Sequence, residues 1–260
     1  GEISSENIEA IRLAKEKGIE IVITSGRVSD SVLNIAKEIG ADKYFISGNG
    51  SMLYDIQKNR IVYENFIDKN KILSLIKMCD ENSIYYNIYT EKEVIAKSIN
   101  YNVAVYNYEN TKRPEEKKTR INIIPDLYGY VKHSTQDKYL KMTVCDNNKI
   151  IFEGIVKKFK EIPKIDVLDV SHMSSKHIKS GTTDIEINYY YTEITNQYVD
   201  KWYALKELCK IEGIKEEEIV AIGDNINDFL MIKNAGLGVA MGNSSPVVKS
   251  IANYVTTDNN

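Results

Sequence analysis

Residues Glu217–Ile232 read EEIVAIGDNINDFLMI, and this stretch decides the fold. It begins as a strand, EIVAIG, and turns into a helix, NDFLMIKNAG. Two carboxylates, Asp224 and Asp228, sit at the turn with Asn225 and Asn227 between them. Polar side chains crowded at the tip of a buried strand call for partners elsewhere in the chain.

Outward from this point the same alternation continues. DKWYALKELCKIEG before it reads as a helix. After it come GVAM as a strand, SSPVVKSIA as a helix with Pro246 in its first turn, and YVTT as a short last strand. The first third of the chain alternates likewise. A helix capped by Ser4 or Ser5 stops at Gly18, and Ile19–Thr24 (IEIVIT) is an apolar run suited to a strand buried on both faces. SDSVLNIAKEIG is the next helix, and KYFISGNG is a strand running into a Gly-Asn-Gly loop. SMLYD and RIVYEN form a hairpin around IQKN. Such β-α-β alternation implies a parallel sheet with right-handed crossovers.

The middle differs. Between Phe66 and Asn188, runs rich in Tyr, Ile, Val and Asn read as strands: SIYYNIYT, NYNVAVYNY, TRINIIP, YLKMTVC, IDVLDVSH and DIEINYYY. Two helices interrupt them, DKNKILSLIKMCDEN and NNKIIFEGIVKKFKEI, while ENTKRPEEKKTR is a solvated loop. The expected fold is α/β: a Rossmann-like parallel-sheet domain of residues 1–64 plus 190–260, interrupted by an α+β domain at residues 66–188.

Composition narrows the function. The 260 residues are 43% hydrophobic and 27% charged with net charge −3, ordinary for a globular protein. No general affinity for nucleic acid or membrane surfaces is implied. No apolar run approaches the roughly 18 residues of a membrane span. Cys79, Cys145 and Cys209 lack metal or redox spacing and read as free buried thiols in a reducing compartment.

In open α/β sheets ligands gather beyond the carboxyl ends of strands. Three such ends are polar here: Ser25, Gly26 and Arg27 after VIT; Ser47–Gly50 after YFI; and Gly223, Asp224, Asn227 and Asp228 after VAI. Hydroxyl, backbone amides and Arg suit a phosphate. Carboxylate oxygens suit Mg²⁺, which takes one or two protein carboxylates plus phosphate and water.

With these residues in place, the chain resembles the haloacid dehalogenase superfamily, specifically the Cof-type phosphatases with a large α/β cap (type IIB). VITSGR resembles that group's second motif, which implies that Ser25 grips phosphate. ISGNG resembles its Asn-Gly loop, placing Asn49 beside the site. EITNQYVDKWYAL resembles its third motif, implying a catalytic Lys201. GDNINDFLMI resembles its fourth, implying Asp224 as a metal ligand, Asn227 as a phosphate contact and Asp228 as support for Asp224 or Lys201. The resemblance covers essentially the whole chain, the cap by size and style only. It implies Mg²⁺-dependent hydrolysis of a small phosphorylated metabolite in the cytoplasm, by a monomer or weak homodimer with no nucleic-acid or membrane partner.

Plainer readings exist for each residue alone. Ser25 could cap a helix, Arg27 and Lys201 could be solvated, Asn49 could occupy a left-handed turn, and Asp224 and Asp228 could cap the helix after them. His133, His172 and His177 are scattered and read as surface or structural; the tyrosines Tyr85, Tyr86, Tyr106, Tyr189, Tyr190 and Tyr191 read mostly as sheet packing.

The family's first motif, a strand followed by D-x-D-G-T, carries the nucleophile and is not among these residues. Two explanations compete: a nucleophile-less sensor of phosphorylated ligands, or a sequence that is a piece of a longer chain. A central strand supplies ladder hydrogen bonds at about 1 kcal/mol net each and buried side chains at about 1.5–3 kcal/mol each, against a domain stability of about 5–15 kcal/mol. That arithmetic favours the second and predicts a gap between the strand at Ile19–Thr24 and the strand at Glu218–Ile222.

Overall fold

A computed structural model describes residues 3–115, 118–136, 138–168, 173–180 and 183–257. The chain divides into two units: Gly1–Arg27 with Val32–Glu64 and Val199–Asn260, and Val28–Ser31 with Asn65–Tyr198.

The first unit opens with helix α1 (Ser5–Glu16), whose Ser4 hydroxyl accepts from the Asn7 amide. Then come β1 (Ile23–Thr24), α2 (Ser29–Ile39) and β2 (Tyr44–Ser47). A tight 3-10 turn at Gly48–Gly50 leads into the hairpin β3 (Met52–Asp55) and β4 (Arg60–Glu64). The sheet order is β1-β2-β3-β4, with β1 and β2 parallel. The strand expected over Ile19–Thr24 is regular only at its last two residues. β1 is an edge, bonded to β2 alone among the described residues, and Ile19 is exposed. A strand with one neighbour lacks the second ladder that would hold its length.

The second unit contains β5 (Ile67–Asp68), α3 (Lys69–Glu81), β6 (Tyr85–Tyr89), β7 (Val94–Ala96), α4 (Tyr101–Asn110), β8 (Ile121–Ile123) and α5 (Leu127–His133). It continues through β9 (Lys138–Tyr139), β10 (Lys141–Asp146), α6 (Lys149–Lys160), β11 (Ile165–Val167), β12 (Ser174–Ser180) and β13 (Thr183–Asn196). The main sheet runs β11-β13-β10-β6-β7-β8, antiparallel except for β7 against β8. Strand period places Tyr86, Ile88, Met142, Val144 and Ile194 on one face, where they join Ile72, Leu75, Val131, Ile155 and Phe159 of α3, α5 and α6 in one core.

Two expectations are corrected here. NYNVAVYNY is helix α4, not a strand. Its Asn102 and Val103 are buried on one helical face, Asn102 donates to the Tyr89 hydroxyl, and the Tyr106 and Tyr89 hydroxyls meet at 3.2 Å. Tertiary contacts of that face override the strand preference of Tyr and Val. The unit also extends past 188 to Tyr198, because β13 stays in its sheet to Asn196. Where the chain enters and leaves this unit, Asn196 Nδ2 donates to Asn65 Oδ1 at 2.7 Å and Asn65 Nδ2 donates to the Gln197 carbonyl at 3.0 Å. His133 and His177 are exposed; His172 lies outside the described residues, as do Glu116 and Lys117 of the charged loop.

The chain then completes the first unit with α7 (Lys201–Glu212), β14 (Val220–Gly223), α8 (Phe229–Asn234), β15 (Leu237–Ala240), α9 (Pro246–Ser250) and β16 (Tyr254–Val255). Asp200 caps α7 by accepting from the Trp202 amide at 2.7 Å, and left-handed Gly213 ends it. β14, β15 and β16 are parallel neighbours. β1 and β14 are not bonded to each other and edge two separate sheets; Val220 and Ile222 on β14 are 57% and 59% exposed. Trp202, Leu205 and Leu208 of α7 pack with Tyr44, Ile46, Leu53, Ala221, Met231, Ile232 and Val248 in this unit's core. All three cysteines are buried and unpaired. Among the described residues no helix is long and apolar enough to cross a membrane.

Candidate active site

The carboxyl end of β14 is organised by Asp228. Its Oδ2 accepts from the amides of Asp224 and Asn225, both at 3.0 Å, which folds the turn back on itself. Its Oδ1 accepts from Lys201 Nζ at 2.5 Å. Both side chains are buried, at 4% and 6% residue exposure, so Lys201 is no surface lysine. A buried ion pair is tolerated only when further hydrogen bonds satisfy its remaining valences, and the two amides do so for the carboxylate. An ammonium has three donors, so Lys201 retains hydrogens beyond the one given to Asp228.

The Gly-Asn-Gly turn is the second wall. Asn49 adopts φ 59°, ψ 28°, the left-handed turn position considered for it from sequence. Its function is not thereby used up, because its side-chain Oδ1 accepts from Asn227 Nδ2 at 2.9 Å, joining residues remote in sequence. Gly50 has φ +100°, and a Cβ there would stand 2.2 Å from the Asp200 carbonyl. The turn therefore lies directly against the start of α7, where Lys201 begins.

The third wall is the loop after β1. The Ser25 amide donates to the Ile46 carbonyl at 3.0 Å, and the Ser25 carbonyl accepts from the Asn49 amide at 3.0 Å. Ser25 Oγ accepts from the Arg27 amide at 3.2 Å. Helix α2 starts only at Ser29, so Ser25 is not its cap. Gly26 passes so close to Asn49 that a Cβ would fall 2.5 Å from Asn49 Oδ1. Arg27 contributes its backbone, its carbonyl accepting from the Gly48 amide at 3.1 Å. Its side chain is exposed and takes no hydrogen bond or ion pair among the described residues.

Ser25, Gly26, Asn49, Lys201, Asp224, Asn227 and Asp228 are thus linked by a continuous set of contacts, with the Arg27 guanidinium outside it. Sequence reading missed Asn243. Its Nδ2 donates to Asp224 Oδ2 at 3.1 Å from the turn between β15 and α9. The available signal was its place after a parallel strand, in MGNSS. Among the described residues of this unit, the buried side-chain atoms without a hydrogen-bond partner are Thr24 Oγ1, Asn227 Oδ1 and Ser244 Oγ, all at or just beyond carboxyl ends of β1, β14 and β15. Buried polar atoms are otherwise nearly always paired, so these three mark a place for a polar guest.

A metal can be tested against these donors. Among the described residues no group of three His, Cys, Asp or Glu is placed to hold one. Mg²⁺ keeps waters and takes one or two carboxylates beside phosphate. Exposed Asp224, with Oδ1 unbonded, and the unpaired Asn227 Oδ1 are the hard oxygens on offer.

Comparison with known proteins matches the chain along nearly its whole length. The family model of the haloacid dehalogenase-like hydrolases matches residues 1–260. Phosphatase YwpJ of Bacillus subtilis is 28% identical, over 99% of this chain and 90% of its own. Pyridoxal phosphate phosphatase YbhA of Escherichia coli is 27% identical, over 97% and 86%. The crystal structure of a haloacid dehalogenase-like hydrolase from Bacteroides thetaiotaomicron superposes with a TM-score of 0.76 at 25% identity, covering 98% of this chain and 87% of that one.

Proposed function

Because the chain belongs to the haloacid dehalogenase-like hydrolases, we propose that it is a phosphatase acting on small phosphorylated metabolites with Mg²⁺, through an aspartyl-phosphate. The observation that carries the reading is the buried Lys201–Asp228 pair, fastened by two backbone amides at the tip of a parallel strand. A pyridoxal phosphate phosphatase among the relatives supports a small phosphorylated substrate.

Each residue then has a role. Ser25 donates its hydroxyl hydrogen to a phosphoryl oxygen, and side-chain-free Gly26 leaves room for the Asn49 amide beside it. Lys201, held in one rotamer by Asp228, places its remaining N–H groups on the transferring phosphoryl group, where negative charge must be held throughout transfer. Asn49 orients Asn227 through their amide contact, and Asn227 touches the same group. Asp224 and Asn227 would hold Mg²⁺, which when bound supplies Lewis-acid stabilisation of the phosphoryl charge. In the family the nucleophilic carboxylate is carried by a D-x-D-G-T motif, which residues 1–260 do not contain. Residues 66–188, with the strand ends that continue to Tyr198, correspond to the cap that in the family selects the leaving group.

Phosphate release from a phosphomonoester panel that includes pyridoxal phosphate tests the proposal. Turnover is expected with Mg²⁺ from a chain that carries a D-x-D-G-T motif, is expected to stop on chelation, and is not expected of residues 1–260 alone. Activity that survives chelation, activity of residues 1–260 alone, or no activity on any ester would overturn it.

A further inference from the structure

Asp224 and Asp228 are four residues apart and chemically unalike. Asp228 is neutralised by the Lys201 ammonium, and both of its oxygens are occupied. Asp224 is exposed, its amide is committed to Asp228, and one oxygen, Oδ2, accepts from Asn243 at 3.1 Å. Asn243 is a neutral donor. It therefore fixes the carboxylate without cancelling its charge and leaves Oδ1 open.

Asn243 is exposed, and its chain neighbours anchor the turn that carries it. The Met241 amide donates to the Gly223 carbonyl at 2.9 Å, on the strand that ends at Asp224. The Gly242 amide donates to Thr256 Oγ1 at 3.0 Å, and the Ser244 amide to the Met241 carbonyl at 2.9 Å. The next side chain, Ser244, is 5% exposed and its Oγ has no partner, an independent sign that this turn faces something polar. Mg²⁺ demands near-ideal octahedral geometry at about 2.0–2.1 Å, and an unrestrained surface carboxylate does not supply it. Partners one bond removed from a metal typically change its affinity by about 10–100-fold.

We propose that Asn243 is a positioning residue for a divalent cation at Asp224, holding Oδ2 so that Oδ1 presents to the metal, and that the Met241–Ser245 turn forms a further wall of the site. This rests on the metal reading above. The test is direct binding of Mn²⁺ to the intact protein, followed by electron paramagnetic resonance with and without inorganic phosphate. Asn243→Leu removes the donor while keeping the branched heavy-atom skeleton, Asn243→Gln keeps an amide, and Asp224→Asn is the reference. Asn243→Leu is expected to weaken Mn²⁺ about 10–100-fold, with a melting temperature close to the parent's. Asn243→Gln recovers part of the loss, and Asp224→Asn abolishes binding. Binding within twofold of the parent in Asn243→Leu, with Asp224→Asn dead, overturns the role of Asn243 alone. Unchanged binding in Asp224→Asn overturns the metal reading itself. An equal loss in the Leu and Gln variants accompanied by early melting overturns positioning in favour of loop collapse.

Discussion

Asp224 and Asp228 predict opposite outcomes for the same chemical change. Asp228→Ala leaves the Lys201 ammonium buried without its partner and three donors unsatisfied. Breaking a buried pair from one side costs about 3–5 kcal/mol, so chemical denaturation should show a loss of that order. Asp224→Asn lies at the surface, where substitutions change stability by about 0.5 kcal/mol or less. It should melt like the parent while losing its response to Mg²⁺. Finding the larger destabilisation at Asp224 would reverse the assignment of the two carboxylates. At this scale the sequence was readable where residues sit in a spaced motif. Lys201 could be singled out only because its helix follows a long insertion, since a lysine in an amphipathic helix is otherwise a surface residue. Asn243 offered only its place just after a parallel strand, and its meaning lies in a contact with Asp224 made through the fold. Arg27 shows the reverse, a motif residue whose side chain remains in solvent.

Elements bring these residues together through close backbone approaches. The Gly48–Gly50 turn meets the start of α7 at Gly50, whose φ of +100° and 2.2 Å Cβ clearance leave room for hydrogen only. Gly50→Ala should cost more than about 1 kcal/mol from backbone conformation alone and shift α7 outward. Lys201 moves with the helix, so kcat should fall in step with stability; full activity in a destabilised variant would uncouple turn and site. At the other end of α7, Glu212 accepts from the Tyr44 hydroxyl at 2.6 Å and pairs with Lys43, tying the helix to β2. The Lys43 hydrogen bond, then that of Tyr44, holds the Glu212 carboxyl below the usual carboxylate range. A depressed folded-state value means stability that is present above the unfolded pKa of about 4.3 and lost as pH falls through the folded value. Glu212→Gln should therefore melt earlier at pH 7 and lose less on going from pH 5 to pH 3; parallel curves would deny the link. Elements with clear punctuation were legible: Asp68, Asn148, Asp200 and Ser245 cap helices where their chemistry predicts. Helix α4 was not, because Tyr and Val prefer strands and the packing of Asn102, Val103 and Tyr106 selects the helix.

Across the whole molecule, two apolar cores are built from different residues, one around Ile72, Ile88 and Met142 and the other around Trp202, Leu53 and Ile232. The β-α-β flanks around a strand-rich middle were visible as a change of hydrophobic period. The point of return was not, since β13 and the chain leading from it to α7 are continuous in composition. The chain holds a single tryptophan, Trp202, 5% exposed in the first unit's core and next to Lys201. Its fluorescence thus reports one unit, while the tyrosines concentrated on β6, β10's neighbour β13 and α4 report the other through near-ultraviolet dichroism. A ligand that binds only the native state raises stability by RT ln(1 + [L]/Kd), about 2.7 kcal/mol at a hundredfold excess over Kd. If phosphate and Mg²⁺ bind among Ser25, Lys201, Asp224 and Asn227, all first-unit residues, their addition should raise the Trp202 midpoint and leave the tyrosine transition in place. Asp224→Asn should remove that shift without moving the baseline. Two probes that move together on adding phosphate and Mg²⁺ would show that the units unfold as one, and a shift confined to the tyrosines would place the anion in the second unit instead.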